Sequence, residues 1–144
     1  MFIQSTIVNA PVEKVFAFHE REDALALLTP PFPPAKLISK SASGLAPGTR
    51  VVLRVGFLRW VALHTDYRKN ELFVDEQVSG PFAKWIHRHE FAEAGAGQTQ
   101  LTDRIEYQLP GGAIMNACFG WAVRLGLTNM FKYRHRITRK YCES

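Results

Sequence analysis

Apolar and polar positions change their period several times along the chain, and each change marks an element. Phe2-Ile3-Gln4-Ser5-Thr6-Ile7-Val8 is rich in apolar and β-branched residues and predicts a strand. Val12, Val15, Phe16 and Phe18 then recur at helical spacing and predict a short helix over about 11–19. Asn9 is its expected N-cap, and Pro11 fits the first turn. Asp23 is placed to cap a second short helix through Leu25 and Leu28. The run Thr29-Pro30-Pro31-Phe32-Pro33-Pro34 ends that helix, because proline cannot continue one and restricts the residue before it.

Strand and turn follow. Lys36–Ser41 and Thr49–Val55 predict strands around a turn at Gly44-Leu45-Ala46-Pro47-Gly48, with Val51, Leu53 and Val55 on one face. Gly56 to Arg59 makes a turn or bulge. Trp60–Tyr67 is the next strand, with two readings of its faces: Trp60, Ala62 and His64 inward, or Val61, Leu63 and Thr65. Leu72–Val78 comes after a turn at Lys69-Asn70. Over 82–92 the alternation is clear. Ala83, Trp85, His87, His89 and Phe91 share one face, and Lys84, Arg88 and Glu90 share the other, with Ile86 the exception. The charged face meets water, so the Trp/His/Phe face looks inward. After a hairpin loop at 93–97, Thr99–Leu109 places Leu101, Asp103, Ile105 and Tyr107 together. Pro110-Gly111-Gly112 stops the sheet. Residues 113–141 read as one long helix whose buried stripe is Ile114, Cys118, Trp121 and Leu125, continued by Leu127, Met130, Phe131, Ile137 and Tyr141. Gly120 and Gly126 imply a close approach or a bend there.

The elements therefore run strand, two short helices, six strands, long helix. Short connections between sequential strands give an antiparallel sheet. A single long helix with one apolar stripe buries it against that sheet. The fold class is α+β: a curved antiparallel sheet of about seven strands wrapped on a C-terminal helix, with residues 1–144 as one domain.

Composition narrows the class. With 47% hydrophobic and 22% charged residues, the chain reads as an ordinary globular domain. No uncharged apolar run reaches the ~18 residues of a membrane span. The N-terminus lacks the basic region and apolar stretch of a signal peptide, so the expected location is the cytoplasm. Cys118 and Cys142 lie on one helix, about 36 Å apart at ~1.5 Å per residue, too far for a disulfide. The net charge is +5. Arg124, Lys132, Arg134, Arg136, Arg139 and Lys140 gather near the C-terminus, where cations complement the helix macrodipole. No nucleic-acid motif accompanies them. Contact with a membrane surface and the oligomeric state stay open.

The candidate chemistry sits on the inward faces. His19, His64, His87 and His89 can reach the interior, and the hairpin places Asp103 across from about residues 87–89. Three readings stand side by side. The histidines and Asp103 form a satisfied core network; or they orient the polar group of a ligand; or they bind a metal, as His-x-His with a carboxylate suits zinc or iron. The sequence offers no firm third ligand, so no cofactor and no metal are expected. Arg134 is either helix charge or a buried cation paired with Asp103 or Glu76, and His135 reads as helix charge. No Ser/His/Asp or Cys/His arrangement, phosphate loop or dinucleotide fingerprint appears.

The order of elements, together with Ala10-Pro11-Val12-Glu13-Lys14-Val15-Phe16, Leu28-Thr29-Pro30-Pro31, the segment Gly80-Pro81-Phe82-x-x-Trp85-x-His87-x-His89-x-Phe91, Asp103, Tyr107-Gln108-Leu109-Pro110 and Phe131-Lys132-Tyr133-Arg134-His135, resembles the START-like, birch-allergen-like helix-grip superfamily. More narrowly it is similar to the bacterial ligand-binding SRPBCC group of polyketide cyclase/dehydrase-like proteins. The resemblance implies a β-α2-β6-α fold with a cavity between sheet and C-terminal helix. It does not imply a reaction. The expected partner is a hydrophobic small molecule, lipid- or polyketide-like. Trp60, His64, Trp85, His87, His89, Phe91, Asp103 and Tyr107 are the expected contact residues. The alternative is a cyclase- or dehydratase-type enzyme in which a His/Asp pair moves a proton.

Overall fold

Seven strands pair in the order β1-β7-β6-β5-β4-β3-β2, every neighbour antiparallel. They are β1 (Phe2–Val8), β2 (Ala35–Lys40), β3 (Arg50–Val55), β4 (Leu58–Arg68), β5 (Leu72–Ser79), β6 (Lys84–Gly95) and β7 (Gln98–Gln108). Two short helices, α1 (Val12–Glu20) and α2 (Ala24–Leu28), follow β1, and α3 (Gly112–Cys142) closes the chain. This computed structural model describes residues 1–31 and 34–144; Phe32 and Pro33 of the expected helix-ending proline run lie outside the described residues. The architecture is the α+β antiparallel sheet with a long C-terminal helix expected from the alternation, and the helix-grip arrangement that the resemblance implies. Among the described residues, no helix is long and apolar enough to cross a membrane.

Both helix caps differ from expectation. α1 starts at Pro11 with no side-chain cap, and Asn9 instead accepts a bond from Gln98 across the β1–β7 edge. Asp23 precedes α2 but bonds Arg21, so its carboxylate is unavailable for capping.

β6 carries the alternation that organises the sheet. Trp85, His87, His89 and Phe91 are buried. On the opposite face Lys84 and Arg88 are half-buried, because the cross-strand pairs Lys84–Glu106 and Arg104–Glu90 lie over that face. The β5–β6 turn is clamped by Gln77, whose amide donates to the Phe82 carbonyl and accepts from the Phe82 amide at 2.7 and 3.1 Å. Gly80 makes room for it: a Cβ there would sit 2.6 Å from Gln77 Oε1.

The expected stripe of α3 requires correction. Ile114, Trp121 and Leu125 are 76%, 69% and 56% exposed, and Cys118 is exposed. The buried residues are Leu127, Phe131, His135, Thr138 and Cys142, again spaced four, four, three and four apart. The reason is length. A helix of 31 residues spans about 46 Å. The residues it contributes to the two apolar cores begin at Val123. The earlier turns carry an apolar stripe beyond the reach of either core. Gly120 and Gly126 do not interrupt the helix, and a Cβ at either would meet open space.

The first core gathers Val15, Phe16, Phe73, Phe91, Leu101 and Cys142, and the second gathers Phe2, Trp85, Ile105, Leu127 and Phe131.

Candidate functional site

Between the concave face of the sheet, α2 and the second half of α3 lies a cavity of about 350 Å³. β4 contributes Trp60, Ala62 and His64, which settles its two possible faces in favour of the first. β5 contributes Phe73 and Asp75, β6 contributes Trp85, His87 and His89, and α3 contributes Leu127, Met130 and Arg134. A larger hollow at the β2–β3 edge, of about 500 Å³, is lined by residues such as Phe57 and Arg59 and holds no histidine or carboxylate. The chemistry is in the inner cavity.

Its polar wall is a connected cluster. In β6–β7 pairing His89 faces Asp103, and in β5–β6 pairing His87 faces Asp75. His87 Nε2 lies 2.8 Å and His89 Nδ1 3.2 Å from Asp103 Oδ1. His135 of α3 reaches the other oxygen of Asp103 at 2.6 Å. His89 Nε2 lies 3.0 Å from Asp75 Oδ2. The rings of His87 and His89 stand 3.6 Å apart, and Phe73 stacks on His89 at 3.8 Å. Asp103 thus holds three imidazoles, and Asp75 holds the outer side of the pair.

Burial and charge divide the protonation states. Burial lowers His19 to about 4, against a hydrogen bond from its Nδ1 to the Val15 carbonyl. Burial also lowers His64. His87 is lowered by burial and by the neighbouring His89. His89 moves the other way: burial pulls it down, but its bonds to Asp103 and Asp75 raise it above the ordinary value. Burial pushes Asp75 up, yet the bond from His89 and the surrounding histidines bring it down to about 2. Asp103 is held well below the carboxylate range by His135, His87 and His89, which outweigh its burial. The cluster therefore contains two carboxylates held low, and His89, which contacts both, is the histidine they raise.

Two groups at the cavity are left without partners. His64 Nδ1 and Arg134 Nε are buried and make no hydrogen bond among the described residues. Arg134 pairs with neither Asp103 nor Glu76. Its guanidinium lies 5.4 Å from the Phe131 ring centroid, and burial lowers its pKa.

Of the residues expected at the site, Trp60, His64, Trp85, His87 and His89 line the cavity. Three do not. Phe91 packs edge-on against Phe16 in the first core at 5.0 Å, because α1 covers that end of β6. Asp103 stands behind the histidines it bonds, since β7 lies one strand away from the lining strands. Tyr107 sits at the edge of the second core with its hydroxyl 3.5 Å from the Gly120 carbonyl. Three residues were missed as site groups. Asp75 supplies the third metal-capable group that the sequence reading lacked. Its signal was the β5–β6 register, which sets it opposite His87. His135 and Arg134 face inward because the buried stripe of α3 is the later one.

Comparison with known proteins agrees with the fold. Over 97% of its length the chain is similar to the nucleoside-diphosphate sugar epimerase of Corynebacterium glutamicum, at 29% identity and a TM-score of 0.77, and it spans 28% of the length of that chain. A START superfamily protein from Mycobacterium smegmatis is similar at 14% identity and a TM-score of 0.65, covering 98% of this chain and 95% of that one. The di-domain ARO/CYC BexL of the BE-7585A biosynthetic pathway is similar at 18% identity and a TM-score of 0.72, covering 99% of this chain and 50% of that one. No curated protein matches. The family described as polyketide cyclase / dehydrase and lipid transport matches residues 8–131, and the chain belongs to it.

Proposed function

We propose that this domain binds a hydrophobic small molecule, lipid- or polyketide-like, that carries one oxygen-bearing polar end, and that it acts as a binding or carrier module. The observation that carries the reading is the pair of unpartnered buried groups, His64 Nδ1 and Arg134 Nε, at a cavity whose walls beside the His/Asp cluster are apolar and aromatic. A buried polar atom without a partner costs about 1–3 kcal/mol. A carbonyl or carboxylate oxygen of a ligand removes that penalty. Trp60, Trp85, Leu127 and Met130 supply the apolar walls. A cavity of this kind, largely apolar with a few convergent polar groups, is the usual form of a small-molecule site. The two free cysteines fit a cytoplasmic location.

A second reading is a cyclase- or dehydratase-type enzyme. The observation in its favour is the His/Asp cluster, in which His89, bonded to Asp75 and Asp103, borders the cavity. The epimerase and the ARO/CYC protein named above make it natural to test sugar nucleotides and aromatic polyketides as candidates.

Native mass spectrometry of freshly purified protein tests the first reading, followed by titration of a long-chain fatty acid and an anthraquinone against tryptophan fluorescence. The expected result is a bound mass, or saturation at one ligand per chain, with Arg134→Gln weakening the carboxylate ligand by about tenfold or more. Neither a bound mass nor saturation tighter than about 1 mM would overturn it. Turnover of a bound polyketide that is lost in His89→Gln selects the enzyme.

A further inference from the structure

We propose that Asp75, His87 and His89 form a binding site for one divalent transition-metal ion, with an open coordination position facing the cavity. Asp75 Oδ2 lies 3.0 Å from His89 Nε2 and 3.9 Å from His87 Nδ1. All three ligand atoms lie within 4.8 Å of one another. Around a tetrahedral ion with bonds of about 2.0–2.2 Å, neighbouring ligand atoms stand about 3.4 Å apart. One observed distance is about 0.4 Å shorter than that and the other about 0.5 Å longer, the adjustment that binding an ion requires.

The site is prepared from behind. His87 Nε2 and His89 Nδ1 both contact Asp103 Oδ1, at 2.8 and 3.2 Å. An ionised carboxylate only accepts, so the imidazoles donate these bonds. With those nitrogens carrying hydrogen, neutral His87 turns the lone pair of Nδ1 toward Asp75, and neutral His89 turns the lone pair of Nε2. A carboxylate and two imidazole lone pairs converging on one point repel unless positive charge sits among them. A proton on His89 answers one of these contacts; a metal ion answers all three. A carboxylate behind a ligating imidazole fixes its tautomer and raises its basicity, a common outer partner in metal sites. Asp103 does this for two histidines and is itself anchored by His135 at 2.6 Å.

The surroundings fit an open site. Structural zinc sites close with four protein ligands, whereas sites with three keep a position for water or substrate. Asp75, His87 and His89 all line the cavity, so the free position faces it. His64 stands opposite Asp75 in the β4–β5 pairing, so the two side chains share a face. Its Nδ1 is buried at the same cavity without a partner, a polar atom left for a ligand or water to satisfy. Two imidazoles with one carboxylate select zinc or ferrous iron over magnesium or calcium, which take oxygen shells.

The test uses the whole protein, stripped with a chelator and then titrated with Zn²⁺ by calorimetry and with Co²⁺ by visible absorption. The expected result is one ion per chain, with cobalt bands of a four- or five-coordinate site. Asp75→Asn and His89→Gln each weaken Zn²⁺ by at least about tenfold, and Asp103→Asn, which would not touch the ion, weakens it about 10–100-fold. Circular dichroism reports whether each variant keeps its fold, and the wild-type titration stands without any variant. Absence of saturable one-to-one binding tighter than about 1 mM overturns the proposal. So does one-to-one binding that survives both Asp75→Asn and His89→Gln in folded protein. Apolar-ligand binding is measured with no metal present, so either reading can fail alone.

Discussion

At the scale of the residue, the buried histidines differ in what they lose on substitution. His64 makes no side-chain hydrogen bond among the described residues, and its Nδ1 is buried at the cavity. Replacing it with leucine, of similar size, removes an unsatisfied group. We expect His64→Leu to hold or raise stability by up to about 1 kcal/mol while weakening a ligand with a polar end. Urea unfolding and ligand titration on the same variant read both, and a clear loss of stability would show that His64 has a partner after all. His19 makes a different prediction, through pH. Its folded value of about 4 lies below the ordinary 6.5. Protonation at mildly acid pH therefore favours the unfolded chain. The stability that neutral His19 contributes is full above about pH 6.5 and is lost as the pH falls toward about 4. Between pH 7.5 and 4.5 the wild type should lose about 2–3 kcal/mol more than His19→Gln. Equal pH slopes in the two proteins would exclude it. His89, whose value is raised, acts in the opposite sense and is present in both proteins.

At the scale of the element, what the sequence made legible followed from short-range alternation. In β6 a period of two placed Trp85, His87, His89 and Phe91 inward, because side chains on one strand cannot change face without a bulge. The tight hairpin fixed Asp103 opposite His89 in the same way. Asp75 was not legible as a site group, since its position depends on how β5 registers against β6, and the connecting turn is set by Gln77 and Gly80 rather than by alternation. α3 misled for a related reason. Apolar spacing identifies a face of a helix, but not how much of its length a core can reach. Ile114, Trp121 and Leu125 have the spacing without a partner, while His135 and Thr138 sit in the buried stripe as polar residues. That unpacked half gives a prediction. Gly126 is exposed, in helical conformation, and faces open space. Gly126→Ala should stabilise the protein by about 0.5–1 kcal/mol through helix propensity alone, read as a higher urea midpoint at unchanged slope. A destabilised variant would mean that something packs on this turn.

At the scale of the whole molecule, two apolar cores flank one polar seam, and Asp103 is the centre of the seam. It belongs to β7, bonds His87 and His89 of β6, and receives His135 from α3. The sheet and the long helix are thus joined by a single buried carboxylate as well as by packing. Asparagine at this position keeps the shape but not the charge, and its amide nitrogen cannot accept from an imidazole. Removing one member of a buried charged group leaves the others uncompensated, at a cost of about 3–5 kcal/mol. That is a large share of the ~5–15 kcal/mol typical of a domain. Asp103→Asn should therefore lower the unfolding free energy at pH 7 by about 3 kcal/mol or more. The effect should be smaller when His135 is already replaced by phenylalanine, because the two residues share one interaction. The pH dependence has a definite sign. A carboxylate held below its ordinary range contributes stability above about pH 4, and that contribution is lost as the pH falls further. The gap between wild type and Asp103→Asn should consequently narrow below about pH 4. Urea unfolding of the four proteins of this cycle at pH 7, with wild type and Asp103→Asn repeated at pH 3.5, measures all of it. An Asp103→Asn variant that unfolds at the wild-type midpoint would mean that packing and the other polar contacts, such as Arg139 to Thr6, hold α3 to the sheet without the carboxylate.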